Sequence, residues 1–430
     1  VASLASAYAQ SPDQLIAARA LMGVGGAAIF PSTLSIISNV FEPQERGKAI
    51  GIWAASVGIA IVLGPVLGGA LLESFWWGSV FLINLPVIAV GVALVSWLVP
   101  ESRDPSPGRL DPVGVLLSIA GLTLLVYGII RGGELASVTS AEVWVPAVAG
   151  LALLALFIRY EARSDHPALD VGLFRNPSFS ASVSAIFLVF FAMFGVFFFM
   201  TFFWQIVRGY SPLQTGLLFL PFAVAQFAFA PLSASMVKRF GARLVCATGL
   251  GLMTVSLLGI GFLEADTSLW VVGVLFFVQG AGIANVMPPA TTAVMAALPR
   301  EKAGVGSAVT NTMRQVGGAL GVAVLGAALA VQYREGVTPA LTALPEDVQH
   351  AAAESLGSTL DIAAQAGPQV VAQVRDAAIP AFVDGMHLAA FIGAAVALIS
   401  TLVVLRYLPG REAAPDPVVD VEEAVKVEAA

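Results

Sequence analysis

Two arginines stand inside long apolar runs, and each is followed about one helical turn later by glycines. Arg19 lies in LIAARALMGVGGAAIF and Arg314 in NTMRQVGGALG. A guanidinium at the centre of a membrane helix costs roughly 2.5–3.5 kcal/mol on insertion scales, so each is expected to face an internal partner or a watery cavity and to serve function there. For Arg19 the alternative is a position near enough to the surface to extend its head to the lipid headgroups. For Arg314 it is a structural ion pair between two halves of the chain.

A second constellation is built from small residues. Gly51, Ala60, Gly64, Pro65, Gly68 and Gly69 share one long segment, GIWAASVGIAIVLGPVLGG. Small side chains let two helix backbones approach closely, and an internal proline removes a hydrogen bond and bends the helix. A bent helix in close contact is suited to a gate or seal; an ordinary small-residue packing seam from Gly64 to Gly68 is the plainer reading. A third candidate is the aromatic run Phe187 to Val207, where Phe202, Trp204 and Gln205 are placed to line a pocket for a greasy or cationic compound. Packing against lipid is the commoner use of such residues. Glu73, Asp384 and His387 read as interfacial, beside aromatic residues or at helix openings.

No catalytic arrangement accompanies them. The sequence has no phosphate-binding glycine loop, nucleophile elbow or paired-histidine motif. Its one cysteine, Cys246, cannot form an internal disulfide, and His166, His350 and His387 lack metal-ligand spacing. An enzyme, an ATP-driven pump and a nucleic-acid partner are therefore not expected, and no cofactor or metal is called for. Any work done on a solute must draw on an ion gradient.

Composition says where these residues sit. Hydrophobic residues make up 58% of the 430, charged residues 11%, and the mean hydropathy is +0.87, whereas a soluble domain is about 25% charged. Apolar runs of about 20 residues predict eleven membrane spans: 14–39, 47–72, 78–99, 112–131, 143–160, 179–207, 213–237, 242–263, 269–297, 304–332 and 382–408. The opening VASLASAYAQ reads as the last turns of an earlier helix. Alternating the loops places fifteen lysines and arginines on one side against Arg131, Arg208, Arg334 and Arg375 on the other. Positive charge is retained in the cytoplasm, so the C-terminus is expected there and the Ala-rich stretch 333–381 outside. The acidic end, 410–430, carries part of the net charge of −7 and reads as a solvated tail.

An internal repeat organises the spans. Gly23, Gly25 and Pro31 of GVGGAAIFP return as Gly280, Gly282 and Pro288 of GAGIANVMP, 257 residues later. Each copy precedes a short charged turn, Pro43-Glu45-Arg46 and Pro299-Glu301-Lys302. These residues are expected in packing between the halves or along a transport path at the repeat interface. The repeat divides the chain into the remainder of an N-terminal bundle (1–99), linkers with two additional helices (100–178), a C-terminal six-helix bundle (179–409, with 333–381 as an external loop) and the tail. Matching the halves implies an intact protein of fourteen helices, with most of the first three outside this sequence; residues 1–430 alone are then expected to be inactive.

At these residues the chain resembles the major facilitator superfamily, and within it the fourteen-helix drug:proton antiporters. Leu15, Arg19, Gly23, Gly25 and Ala28 match the superfamily pattern L-x3-R-x3-G-x-G-x2-A. Residues 51–69 match the antiporter pattern G-x8-G-x3-G-P-x2-G-G, with Ala60 in place of a glycine, and WWGSVFLINLP resembles W-R-W-x-F-x-I-N-x-P, with Gly78 in place of the arginine. SASMVKRFGAR has Lys238 near where the superfamily loop pattern expects an aspartate. The resemblance implies an all-α integral membrane protein of two bundles with two extra central helices. It implies a monomer in the plasma membrane that exports hydrophobic or cationic small molecules in exchange for protons. Arg19 would then take part in proton coupling, and the Gly64-Pro65 bend would prevent leak. A symporter or facilitator of a small metabolite and a non-transporting membrane receptor are the alternatives.

Overall fold

A computed structural model describes residues 1–40, 60, 63–99, 111–135, 140–164, 167, 169–298, 303–342 and 346–410. Among them there is no strand. The stub α1 (Ala2–Ala7) is followed by α2 (Pro12–Val40), α3 (63–74), the short α4 (Ser79–Leu82) and α5 (Asn84–Leu98). Then come α6 (Pro112–Leu135) and α7 (Ala141–Glu161). The second half holds α8 (Pro177–Phe202), α9 (Pro212–Leu218), α10 (Leu220–Phe240), α11 (Ala242–Ile260), α12 (Leu269–Ala296), α13 (Ala303–Leu341), α14 (Glu346–Ala352), α15 (Leu356–Ala366) and α16 (Pro368–Tyr407). Nine helical segments among the described residues are long and apolar enough to cross a bilayer. The 29-residue α2 adds the expected span 14–39, and of 47–72 the described part is helical from 63.

Helix starts follow local chemistry. The Asn176 side chain accepts from the backbone N–H groups of Ser178 and Phe179, with Pro177 in the first turn. Ser211 and Gln214 form a reciprocal capping box ahead of α9. Gly241, at φ 84°, makes the tight passage from α10 to α11 that a side chain would strain. Below that turn Arg243 donates to the Leu408 carbonyl at 2.6 Å, tying the ends of α11 and α16 together.

The packed core lies in the second half, where Phe197, Phe219, Phe222 and Phe276 meet at centroid separations of 4.8–6.1 Å. Close backbone approach does the rest, as expected for helices that cannot rely on the hydrophobic effect in lipid. A Cβ on Gly317 would lie 2.4 Å from the Phe187 carbonyl oxygen, and one on Gly321 2.0 Å from that of Phe191, so α13 runs directly on α8. The additional pair is joined likewise: a Cβ on Gly150 of α7 would lie 2.5 Å from the Leu125 nitrogen of α6. At the other end of the pair Tyr160 donates to Asp111 at 3.2 Å. Gly133 seats α6 on α13, its added Cβ 2.7 Å from Ala327 Cα.

The stretch 333–381, expected as a loop, is largely helical. α13 continues to Leu341, α14 and α15 form a small hairpin, and α16 starts at Pro368, with Pro339 and Pro380 inside the long helices. Charged residues end the apolar run there, but alanine sustains the helix. The hairpin is pinned by the buried Tyr333 hydroxyl, 2.5 Å from Thr359 Oγ1, while Thr359 also donates to the Ser355 carbonyl at 2.9 Å. Tyr333→Phe removes a bond worth about 1 kcal/mol. Amide exchange across 352–366 is expected to quicken about fivefold, with the membrane helices unchanged. Unaltered exchange in the hairpin would show that the tyrosine does not hold it.

Candidate functional site

The two halves meet through glycines at one end of α3 and the start of α9. An added Cβ on Gly69 would lie 2.4 Å from the Pro212 oxygen and 2.8 Å from Leu213 Cα. Reciprocally, one on Gly216 would lie 2.4 Å from the Pro65 oxygen and 3.2 Å from Val66 Cα. Each glycine therefore rests on the other helix's backbone, which has no side chain to swing aside. Pro65 matters twice here: as the residue that cannot donate to the helix ladder, and as the carbonyl against which Gly216 packs. Among the described residues nothing lies within 4 Å of a Cβ added on Gly64 or Gly68, and Ala60 is exposed. The seam is thus Pro65 and Gly69, narrower than the Gly64-to-Gly68 pattern suggests. Gly51 and the two charged turns lie outside the described residues.

The repeated glycines are not equivalent in their surroundings. Gly280 packs on the Phe222 oxygen of α10 at 2.3 Å and Gly282 on the Gly249 oxygen of α11 at 2.6 Å, both distances to an added Cβ. These contacts of Gly280 and Gly282 lie within the second half. Among the described residues, nothing lies within 4 Å of a Cβ added on Gly23 or Gly25. Pro31 and Pro288 occupy interior positions of α2 and α12.

Arg19 is exposed on α2, its guanidinium carbon 5.8 Å from the Phe81 ring centroid. Among the described residues the neighbour that meets the charge is the Phe81 ring of α4. Arg314 is partly buried on α13, 5.6 Å from the Phe190 ring of α8, and its Nε has no hydrogen-bond partner among the described residues. That neighbour belongs to the same half, and no ion pair to the first half forms among the described residues, so the structural alternative of a cross-half pair finds no partner there.

Phe202, Trp204 and Gln205 do not share a pocket. Residues 203–207 form a π-helical turn at the end of α8, which changes the direction of successive side chains. Phe202 points into a cavity of about 400 Å³. Trp204 is fully buried against Phe203 and Tyr210, with ring centroids 5.2 and 5.9 Å away. Gln205 is partly buried and does not line that cavity. The sequence reading missed Arg208, whose guanidinium lies 5.5 Å from the Phe203 ring centroid and donates to the Thr267 carbonyl. It fixes the π turn to the connection between α11 and α12, a role only the folded chain reveals.

Comparison with known proteins bears on the whole arrangement. The profile of the Major Facilitator Superfamily matches residues 1–322. The chain is 36% identical over 407 residues to the multidrug efflux pump LfrA of Mycolicibacterium smegmatis, covering 94% of this chain and 80% of that protein. It is 36% identical over 419 residues to the multidrug resistance protein Stp of Mycobacterium tuberculosis, covering 95% and 77%. Among solved structures, a bacterial homolog of the human lysosomal transporter Spinster, inward-facing and occupied, superposes with a TM-score of 0.57 at 17% identity, covering 95% of this chain and 80% of that one. At that identity the likeness concerns the fold.

Proposed function

The chain belongs to the major facilitator superfamily, a family of membrane transporters and not of enzymes, and on that premise we propose that it is a proton-driven exporter of hydrophobic or amphipathic drugs. Its relatives are multidrug and antibiotic efflux proteins. The observation that carries the reading is the reciprocal glycine seam between α3 and α9: alternating access parts and reseals the two halves, and here they touch backbone to backbone with no side chain in the way. Arg19 takes part in proton coupling, and the Pro65 bend with Gly69 acts as the seal. The C-terminus faces the cytoplasm, the working unit is a monomer, and the ion gradient replaces any cofactor.

Inside-out membrane vesicles bearing the intact fourteen-helix protein, with an acidic lumen, are expected to accumulate a fluorescent lipophilic dye and to lose it when an uncoupler is added. Arg19→Ala is expected to lower gradient-driven uptake about fivefold without loss of the folded protein. Dye uptake indifferent to the pH gradient would contradict proton antiport. Binding without flux would favour the receptor alternative.

A further inference from the structure

Trp204, which takes no part in the cavity that Phe202 enters, borders a separate groove of about 360 Å³. Leu217 and Leu218 of α9, Pro221 of α10 and the first turns of α12, from Leu269 to Phe277, make its other walls. The groove opens on the face turned to lipid: Trp270, among its walls, is 84% exposed, and Leu217 and Val274 are exposed as well. It stands on the side of the bilayer opposite the C-terminus, because Arg243 ties the start of α11 to the end of α16 and α12 begins one crossing later. Tryptophan is common at that depth, where chains meet headgroups. Two donors at the end of α8 have nothing to donate to. The Trp204 side chain is fully buried and its indole N–H has no acceptor among the described residues, although a buried tryptophan ordinarily finds one. Arg208, one turn on, donates to the Thr267 carbonyl, yet its buried Nε also lacks an acceptor there, and its guanidinium carbon lies 5.8 Å from the Trp204 ring centroid. Water does not answer the indole, since an ordered water needs about two to four polar partners and the remaining walls are apolar side chains and Gly273.

We infer that the groove holds one acyl chain of a resident zwitterionic glycerophospholipid, with an ester carbonyl accepting from Trp204 and the phosphate paired with Arg208. The order of groups along such a lipid, phosphate, ester and chain, is the order of Arg208, Trp204 and the apolar walls. The guanidinium supplies a charge-assisted bond that the indole cannot. Glu264 and Asp266 are exposed on the connection between α11 and α12 whose Thr267 carbonyl holds Arg208. They disfavour a headgroup with further negative charge and suit one that carries an ammonium. The lipid is a fixed ligand, neither exported nor driven by the gradient. It backs the seam helix: Gly216 of α9 rests on Pro65, while the next two residues, Leu217 and Leu218, line the groove. The site does not depend on the export reading, since a chain lies in this groove whichever way solutes move.

The test is photolabelling of the intact fourteen-helix protein in nanodiscs doped with a phosphatidylcholine that carries a diazirine on one acyl chain, followed by peptide mapping. The same chain on phosphatidylglycerol and on diacylglycerol gives the anionic and phosphate-free comparisons. Label is expected in 217–221 and 269–277, about threefold above the anionic lipid and about tenfold above diacylglycerol. Trp204→Phe, which keeps a ring and removes the N–H, is expected to lower label there about fivefold. Gly273→Leu fills the groove from its wall: the nearest atom to an added Cβ is Pro221 Cγ at 3.8 Å, an ordinary contact. It is expected to abolish label in these segments and to leave label on other lipid-facing helices unchanged. Label spread evenly along those helices, a comparison lipid that labels as well as phosphatidylcholine, or parent-level label in either folded variant would each overturn the proposal. If Trp204→Phe does not fold, Gly273→Leu and the lipid comparison decide it. Gradient-independent dye flux with this labelling intact would sink proton-driven export and leave the lipid site standing.

Discussion

Gly216→Leu is expected to lower gradient-driven uptake by about tenfold or more while the protein stays folded and melts within a few degrees of the parent. The reason lies in what the glycine touches. Its added Cβ would lie 2.4 Å from the Pro65 oxygen and 2.8 Å from the Pro65 carbonyl carbon, and carbon atoms in contact settle at about 3.5–4.0 Å. Both are backbone, so relief comes only from moving α9 away from α3 by about 1 Å or more. Overpacking of this kind costs about 1–3 kcal/mol, enough to shift a two-state equilibrium by about five- to 150-fold. The arrangement penalised is the one with the seam closed. Gly69→Val, pressing on Pro212 from the other side, is expected to act alike. Gly251→Ala is the control: an added Cβ there meets nothing within 4 Å among the described residues, and uptake should be unaffected. Wild-type transport by Gly216→Leu would show that the seam does not open and close in the cycle.

How much of this was legible beforehand depends on what decides each feature. Apolar run length fixes most of the membrane helices, because the bilayer sets both length and composition. The repeat is visible because glycine and proline are read by type, whatever their neighbours. The partners of those residues are not visible. The proline-glycine segment does not say that Pro65 and Gly69 are among the residues that meet the other half, nor that the answering residues sit in SPLQTG, which reads locally as a helix cap. Phe202 and Trp204 stand two positions apart and face apart, and the π turn between them leaves no reliable periodic mark. The helical 333–381 region was hidden for a different reason: hydropathy detects lipid-crossing segments, and Arg334, Glu335 and Asp376 silence that signal without stopping an alanine-rich helix. Arg19 and Arg314 are conspicuous by charge alone, but only the folded chain reveals that Arg19 has Phe81, and Arg314 has Phe190, as a cation–π neighbour.

Arg314→Leu is expected to reduce transport about fiftyfold while leaving thermal stability unchanged or raised. Placing the guanidinium in a membrane helix costs roughly 2.5–3.5 kcal/mol, and a cation–π contact such as that with Phe190 returns only about 0.5–2 kcal/mol. No carboxylate pairs with it among the described residues, and its Nε lacks a partner there. The balance is therefore unfavourable to the fold, and a purely structural arginine at this place is poorly explained. Leucine removes the charge and keeps an apolar surface toward α8, whose Phe187 and Phe191 carbonyls stay in contact with Gly317 and Gly321 one and two turns on. Arg314→Lys separates charge from shape: it keeps a cation but loses the planar face that stacks on a ring. It is expected to transport at an intermediate rate if the charge is what the cycle uses, and no better than leucine if the stacked guanidinium is required. The two measurements to compare are initial uptake and melting temperature. A fall in both together would make Arg314 a structural residue after all, because a group used only in transport moves the first and not the second.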